Sequence, residues 1–201
     1  MVDSLPESEL RKRAESGDPD AQLELAQTLW RTELTDKQTE AIRWFEAAAN
    51  AGGPEHKRIF GALLCWESGK FQDFPKGFAL LQLAAELGDT SAQYLVAAEL
   101  AVGEHVIRNP SAAAAWYARA AEGGSAEAAY NLAVMYLEGD GVPIDKTRAI
   151  GLLETAASKG EILALRALTE GYDHGANGLP LDPAKAAKWR SRYEAARVKE
   201  P

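Results

Sequence analysis

The sequence is poor in the residues that build sheets, bridge chains or cross membranes. Val and Ile number only 13 among 201 residues, which is too few β-branched side chains for a large sheet. Cysteine occurs once, at Cys65, and this excludes an internal disulfide and a cysteine-based zinc cluster. The longest apolar run, residues 112–118, is far shorter than the ~20 residues that a spanning helix needs. We expect no integral membrane segment.

Positive charge is scarce as well. The chain has 22 Lys+Arg against 30 Asp+Glu, a net charge of −8. A nucleic-acid surface needs clustered cations, so we expect no nucleic-acid partner. Residues 1–100 hold 10 basic and 17 acidic side chains, so most of the negative charge lies in that half. Such an excess is typical of a soluble surface, and an acidic face for a basic partner is the alternative.

The N-terminal residues 1–7 contain acids where a secretory leader has a basic segment and an apolar stretch. Together with the single cysteine, this favours a cytoplasmic setting. A mature periplasmic domain whose leader had been removed would have the same features, so that alternative stays open.

Alanine is what the chain has in abundance, with 38 copies, and it recurs with a period of 35–37 residues. In the clearest copy, Ala128, Leu132 and Tyr136 form one face of a first helix. Glycines then allow the chain to reverse, and Asp145 is suited to cap a second helix that ends at Gly160. The period predicts five helix pairs, at about residues 19–53, 54–89, 90–125, 126–161 and 162–198.

Both ends of the array carry a predicted cap. Residues 6–17 reproduce the end of a second helix without a first helix before it, so we interpret them as an N-terminal half repeat. The last second helix, at about 183–198, closes the other end. The array then forms one domain over residues 1–201.

The pattern Ala-x3-Leu-x3-Tyr-x2-Gly-x-Gly-Val-x2-Asp-x3-Ala, best seen at 128–160, resembles the Sel-1-like repeat, a relative of the tetratricopeptide repeat. The resemblance covers about residues 14–196. Residues 32–34 and 67–69 replace the loop glycines, and His56 stands where Ala is usual. We expect an all-α fold, a right-handed α–α solenoid of about five helix-pair repeats with capping helices at both ends.

The resemblance also implies a function. Proteins of this family act as adaptors, regulators or secretion-linked partners, so we expect a non-catalytic scaffold that binds a protein or peptide in the concave groove of the solenoid. Some bacterial relatives are immunity proteins that neutralise a secreted effector, and that role is one alternative.

Candidate chemistry is sparse. His56, His105 and His174 lie in different repeats without a second ligand at i+3 or i+4, so we expect neither a metal nor another cofactor. No nucleophile motif is present, and we expect no enzyme activity. The alternative is an enzyme or regulator of cell-envelope glycan chemistry that uses Glu138, Asp173 and His174.

Residues 185–199 form a basic amphipathic helix with Trp189 and Tyr193 on its apolar side. Contact with a membrane surface is one interpretation. A closing cap with a polar outer face is the better one, because cations late in a helix suit the negative end of its dipole.

First helices line the concave side in helix-pair repeats, and side chains that flank their core stripe point into the groove. Exposed Trp, Tyr and Arg are common binding hot spots. The predicted partner-binding residues are Leu23, Gln27, Trp30, Arg31, Arg58, Trp66, Tyr94, Tyr130, Glu138, Arg166, Asp173 and His174.

Overall fold

The structure is a computed structural model, and it describes residues 6–32, 34–67 and 69–198. Within these ranges the chain is all-α, with eleven helices and no strand, as the composition predicts. In chain order they are α1 (Glu7–Glu15), α2 (Pro19–Trp30), α3 (Thr35–Ala51), α4 (Pro54–Trp66), α5 (Phe74–Glu86), α6 (Thr90–Val102), α7 (Pro110–Glu122), α8 (Ala126–Glu138), α9 (Lys146–Ser158), α10 (Ile162–His174) and α11 (Pro183–Arg197).

The helices alternate in the two roles that the repeat predicts. The first helices are α2, α4, α6, α8 and α10, and each is followed by a second helix. The helix α1 has no first helix before it among residues 6–198, as expected of a half repeat. At Gly88 the chain turns with φ of +96°, and Asp89 N–H donates to the carbonyl of Ala84 at 3.0 Å. This closure satisfies a carbonyl at the end of α5 and starts the next repeat.

A carboxylate or amide begins four of the second helices. The side chains of Asp73, Asn109, Asp145 and Asp182 each accept a hydrogen bond from the N–H three residues on, at 2.9–3.2 Å. The cap predicted at Asp145 is therefore present, and the same side-chain capping bond recurs at 73, 109 and 182. The first repeat departs from this pattern, because α3 starts after Leu34, whose side chain makes no capping bond, and extends over 17 residues.

The described chain divides into two compact units, unit 1 up to Ala92 and unit 2 from Gln93 onward. The core of unit 1 includes Phe45 and Phe60, whose rings stack with centroids 6.1 Å apart. In unit 2, Leu168 and Trp189 belong to one cluster with α9. Each unit thus has a core of its own, and the single domain over residues 1–201 stays a prediction.

Ion pairs connect neighbouring repeats within each unit. Arg11 of α1 binds Glu40 of α3, and this hydrogen bond holds the pKa of the Glu40 carboxyl below its ordinary value. In unit 2, Arg108 Nη2 lies 2.5 Å from Asp140 Oδ2, which joins the loop after α6 to the loop after α8. These contacts bridge residues about one repeat apart in sequence.

Candidate functional site

The twelve predicted residues all lie on first helices or directly after one, and they divide equally between the two units. Each set flanks the buried stripe of its helices. We call the six in unit 1 the unit 1 face and the six in unit 2 the unit 2 face. The unit 1 face is Leu23, Gln27, Trp30, Arg31, Arg58 and Trp66, and the unit 2 face is Tyr94, Tyr130, Glu138, Arg166, Asp173 and His174.

Two apolar members of the unit 1 face are partly used in packing. Leu23 and Trp30 are half-buried against the unit 1 core. The Trp30 ring meets Phe45 and Phe71 edge to face, with centroids 6.3 and 5.4 Å away. Contact of Trp30 with a partner stays a prediction, and an alanine at this position would also disturb the core.

Arg58 has an intramolecular role as well. Its Nε donates to Asp89 Oδ2 at 3.1 Å, and a guanidinium nitrogen lies 3.6 Å from Glu55. Asp89 also accepts the N–H of Ala92 at 2.8 Å, so this one carboxylate serves an ion pair and a helix start. Arg58 therefore holds together two segments of unit 1.

The exposed part of the unit 1 face lies near the ends of α2 and α4. Trp66, the last residue of α4, keeps 46% of its surface accessible. Arg31, directly after α2, is exposed, and Gln27 is half-buried. A large, amphipathic and accessible indole is the side chain of unit 1 best suited to anchor a partner.

The two tyrosines of the unit 2 face are half-buried. The Tyr94 ring packs 5.9 Å from that of Tyr117, and Tyr130 packs against the core cluster of α9–α11. Burial, reinforced by the neighbouring Tyr94, raises the pKa of Tyr117 to about 12, although Asn131 hydrogen-bonds its side chain. Both Tyr94 and Tyr130 combine a packing role with a remaining accessible edge.

The charged members of the unit 2 face are mostly accessible. Glu138 and His174 are exposed, and Arg166 is exposed with Glu170 only 3.9 Å away. Asp173 is held by an ion pair with Arg190 of α11, which attaches the last helix to α10. Asp173 thus helps to position α11, the predicted closing cap.

Two of the three residues of the glycan-chemistry alternative have local partners in the part of the chain that the structure describes. Asp173 is engaged with Arg190, and His174 Nδ1 faces the Glu170 carbonyl oxygen at 3.0 Å. No hydrogen bond joins Glu138, Asp173 and His174 to one another among these residues. The glycan-chemistry alternative stays a prediction.

The histidines serve local structure. His56 lies against Gly52, where an added Cβ would sit 2.4 Å from the ring. Its Nε2 is 3.0 Å from Asp20 Oδ1, although the angles do not form a hydrogen bond. The backbone N–H of His105 donates to the buried carboxylate of Glu99 at 2.7 Å. Over residues 6–32, 34–67 and 69–198, no three His, Cys, Asp or Glu side chains converge as metal ligands would.

The basic C-terminal helix is α11, and Lys199 of the predicted segment lies outside the described residues. Arg192 donates to the carbonyls of Ala157 and Ser158 and lies over the Trp189 ring, 5.1 Å from its centroid. These contacts fit the closing cap. None of the described helices is both long and apolar enough to span a bilayer.

One exposed position of the repeat register is absent from the predicted set. It is Val102 of the third repeat, which is 69% exposed. Val102 is equivalent in register to Arg31, Trp66, Glu138 and His174. The period of 36 counted back from Glu138 reaches it directly. We call these five residues the variable row, because the position is exposed in every repeat and holds a different side chain in each.

Alternating first and second helices, a repeated buried stripe and a varied exposed row define the class: an α-helical repeat protein built from helix pairs. The family model of the Sel1 repeat matches residues 19–53, 61–89, 90–125, 126–161 and 163–189. The chain belongs to the Sel1 repeat family, and the five predicted repeats are confirmed. Proteins of this family generally act as protein-interaction scaffolds.

Solved structures are similar over nearly the whole chain. A Sel1 repeat protein from Oxalobacter formigenes is 28% identical with a TM-score of 0.81, over 96% of this chain and 78% of that one. The protective antigen c5321 of uropathogenic Escherichia coli, described as having an SLR fold, is 23% identical with a TM-score of 0.72, and the match spans 96% of this chain and 49% of the antigen.

The immunity protein PA5088 from Pseudomonas aeruginosa is 21% identical with a TM-score of 0.61, over 98% of this chain and 77% of that one. Among curated proteins, no sequence matches this chain. The similarity to c5321 and to PA5088 shows the shared fold alone.

Proposed function

We propose that this protein is a non-catalytic scaffold that binds another protein or a peptide segment through its first helices. The variable row carries the proposal. Apart from His56 in the second repeat, the core positions of the first helices hold small, aliphatic or aromatic residues, whereas the row holds Arg, Trp, Val, Glu and His. A position that packing does not constrain is available for recognition, and a different side chain in each copy makes the surface specific.

Within the row, Trp66 is the strongest anchor. It combines a large apolar area with 46% exposure, while Arg31 supplies a planar cation in the same unit. Truncation of a hot-spot Trp or Arg costs about 2 kcal/mol or more, which is a loss of at least about 30-fold in affinity. In unit 1 the half-buried Leu23 and Trp30 lie on the same first helices as these anchors or on their neighbours. In unit 2 the half-buried Tyr94 and Tyr130 lie on first helices that end in row residues.

The test is quantitative affinity capture from native lysate with wild type and Trp66→Ala. The matched control is Leu83→Ala, which removes an exposed apolar side chain from second helix α5 in the same unit. We expect the specific partner to be lost with Trp66→Ala and kept with Leu83→Ala, with equal melting temperatures. Equal retention by both variants, and by Arg31→Ala and Arg166→Glu, would show that the first helices are not the binding surface.

A narrower form of this function is the neutralisation of a secreted bacterial effector. It is supported by the occurrence of immunity proteins among the structures with the same fold. The test is co-expression of the protein with the product of an adjacent toxin gene. Growth rescue by wild type and its loss with Trp66→Ala would support the immunity role, and toxicity unchanged by wild type would exclude it for that toxin.

A further inference from the structure

Three loops of unit 2 form a continuous edge. They join α6 to α7, α8 to α9 and α10 to α11, and with the following helix turns they comprise residues 103–112, 139–148 and 175–185, here called the loop edge. Arg108 bridges to Asp140 between the first two loops. An added Cβ at Gly141 would sit 2.4 Å from the backbone of Pro110, and one at Gly178 would sit 3.0 Å from Lys146. Successive loops are therefore in direct contact.

The loop edge exposes one large aliphatic side chain in each repeat. Ile107, Ile144 and Leu181 are 90%, 63% and 67% accessible. They are spaced 37 residues apart, so Ile107 and Leu181 each lie one repeat away from Ile144. Single exposed aliphatics are ordinary on protein surfaces, but a row that recurs at one edge in successive repeats is an apolar surface of the kind that marks an interaction site.

The charges of this edge indicate what it binds. Its acids are Glu104, Asp140, Asp145 and Asp182, and its cations are Arg108, Lys146, Arg148 and Lys185, so the edge is neutral on a chain of net charge −8. Six of these eight form pairs within the edge, Arg108–Asp140, Arg148–Asp145 and Lys185–Asp182. A charge-balanced strip repels no copy of itself, and it offers a strongly acidic or basic partner little attraction.

We propose that the loop edge pairs with the loop edge of a second copy of this chain around a two-fold axis at Ile144. An isologous contact requires a surface that is complementary to itself, and this row has its central member flanked by an aliphatic residue on each side. The axis places Ile144 against Ile144 and Ile107 against Leu181 of the second copy. Apolar side chains are then removed from water on both copies, which is the driving force for the association.

The contact is small, because three loops supply it. Interfaces that bury less than about 1,200 Å² in total form weak, reversible complexes. The self-association is therefore concentration-dependent. The inference stands independently of the proposed scaffold function.

Sedimentation equilibrium over about 1 to about 500 µM tests the pairing, because a small interface gives a weak and reversible complex. We expect the weight-average mass of wild type to rise with concentration toward twice the chain mass of 21.7 kDa. Ile107→Glu, at the most exposed of the three positions, should remain monomeric at every concentration. The matched control Leu163→Glu changes an exposed leucine on α10, away from the loop edge, and should self-associate like wild type.

A charge-exchange experiment tests the two-fold geometry. Ile107→Glu and Leu181→Lys should each be monomeric alone, and an equimolar mixture should form a heterodimer, because the axis brings Glu at 107 opposite Lys at 181. A monomeric wild type at all concentrations, or self-association unchanged by Ile107→Glu, would overturn the proposal. Two monomeric variants whose mixture also stays monomeric would overturn the axis at Ile144.

Discussion

Gly61 and Gly77 face each other where α4 crosses α5. An added Cβ on Gly61 would lie 2.8 Å from the carbonyl oxygen of Gly77, and one on Gly77 would lie 2.7 Å from the carbonyl oxygen of Gly61. Neither helix can therefore accept a methyl group without moving backbone. The contact brings α4 and α5 closer together than two alanines would allow.

Alanine at either glycine should destabilise unit 1, although alanine is the better helix former. Overpacking of this kind costs about 1–3 kcal/mol. Gly151 is the matched control, because it lies inside α9 with open space where its Cβ would be. Gly151→Ala should stabilise the protein by about 0.5–1 kcal/mol. Urea denaturation of the three variants measures both effects, and equal shifts for all three would contradict the close crossing.

Arg58 and Arg166 should differ, although both were predicted to bind a partner. Arg58→Ala leaves the mostly buried Asp89 without its cation and should cost about 1–2 kcal/mol of unfolding free energy. Arg166→Ala loses only a long, exposed pair with Glu170 and should cost less than about 0.5 kcal/mol. Thermal unfolding of the two variants makes the comparison. A melting temperature lowered more by Arg166→Ala would refute the structural role of Arg58.

Tyr117 should make the fold sensitive to alkali. Its pKa is about 12 in the folded protein and 10.0 when unperturbed, so the folded state holds the phenol proton more tightly. The corresponding stability is fully present below pH 10 and is lost as the pH rises from about 10 to about 12, at a cost of roughly 2–3 kcal/mol.

The measurement is the free energy of unfolding in urea at pH 8, 10 and 11.5 for wild type and Tyr117→Phe. Phenylalanine cannot ionise, so the variant should lose less stability over this interval than wild type does. Because Phe also loses the hydrogen bond to Asn131, the slope with pH is the informative quantity, and parallel slopes would contradict the prediction.

Leu34→Asp should stabilise the first repeat. Leu34 is 60% exposed and occupies the N-cap of α3 without a side-chain bond, whereas Asp73 caps the equivalent helix of the next repeat. A capping carboxylate contributes about 1 kcal/mol. Leu34→Ala removes the same apolar surface without adding an acceptor and is the control. A melting temperature that rises equally in both variants would attribute the gain to the lost leucine.

The repeat register predicted local structure well, because each position has one physical task in every copy. The glycine turns after α5, α7 and α9, as at Gly88, and the caps at Asn109 and Asp145 follow from backbone chemistry that acts within a few residues. The register predicts helix bounds less accurately where these glycines and capping residues are absent. In the first repeat, residues 32–34 lack the loop glycines. The capping position, four residues before Ala41, holds no carboxylate. There α3 begins about one turn earlier than the register predicts.

For the candidate site, the sequence predicted which positions flank the core stripe, but not which of their side chains are engaged in contacts within the fold. The period of about 36 residues identifies these positions, and the same register also leads to Val102. It cannot tell that Arg58 reaches Asp89, that Asp173 reaches Arg190, or that Trp30 packs on Phe71. These partners lie 17 to 41 residues away in sequence, and their meeting depends on how helices stack.

The sequence by itself determined that this protein is all-α, built of five helix pairs with small residues at recurring positions, because helix propensity, capping and glycine turns are local. Only the tertiary structure decided which of its exposed side chains are already engaged, and that Gly61 and Gly77 meet. Both depend on the distances between separate helices, where a small shift turns a favourable contact into a steric clash.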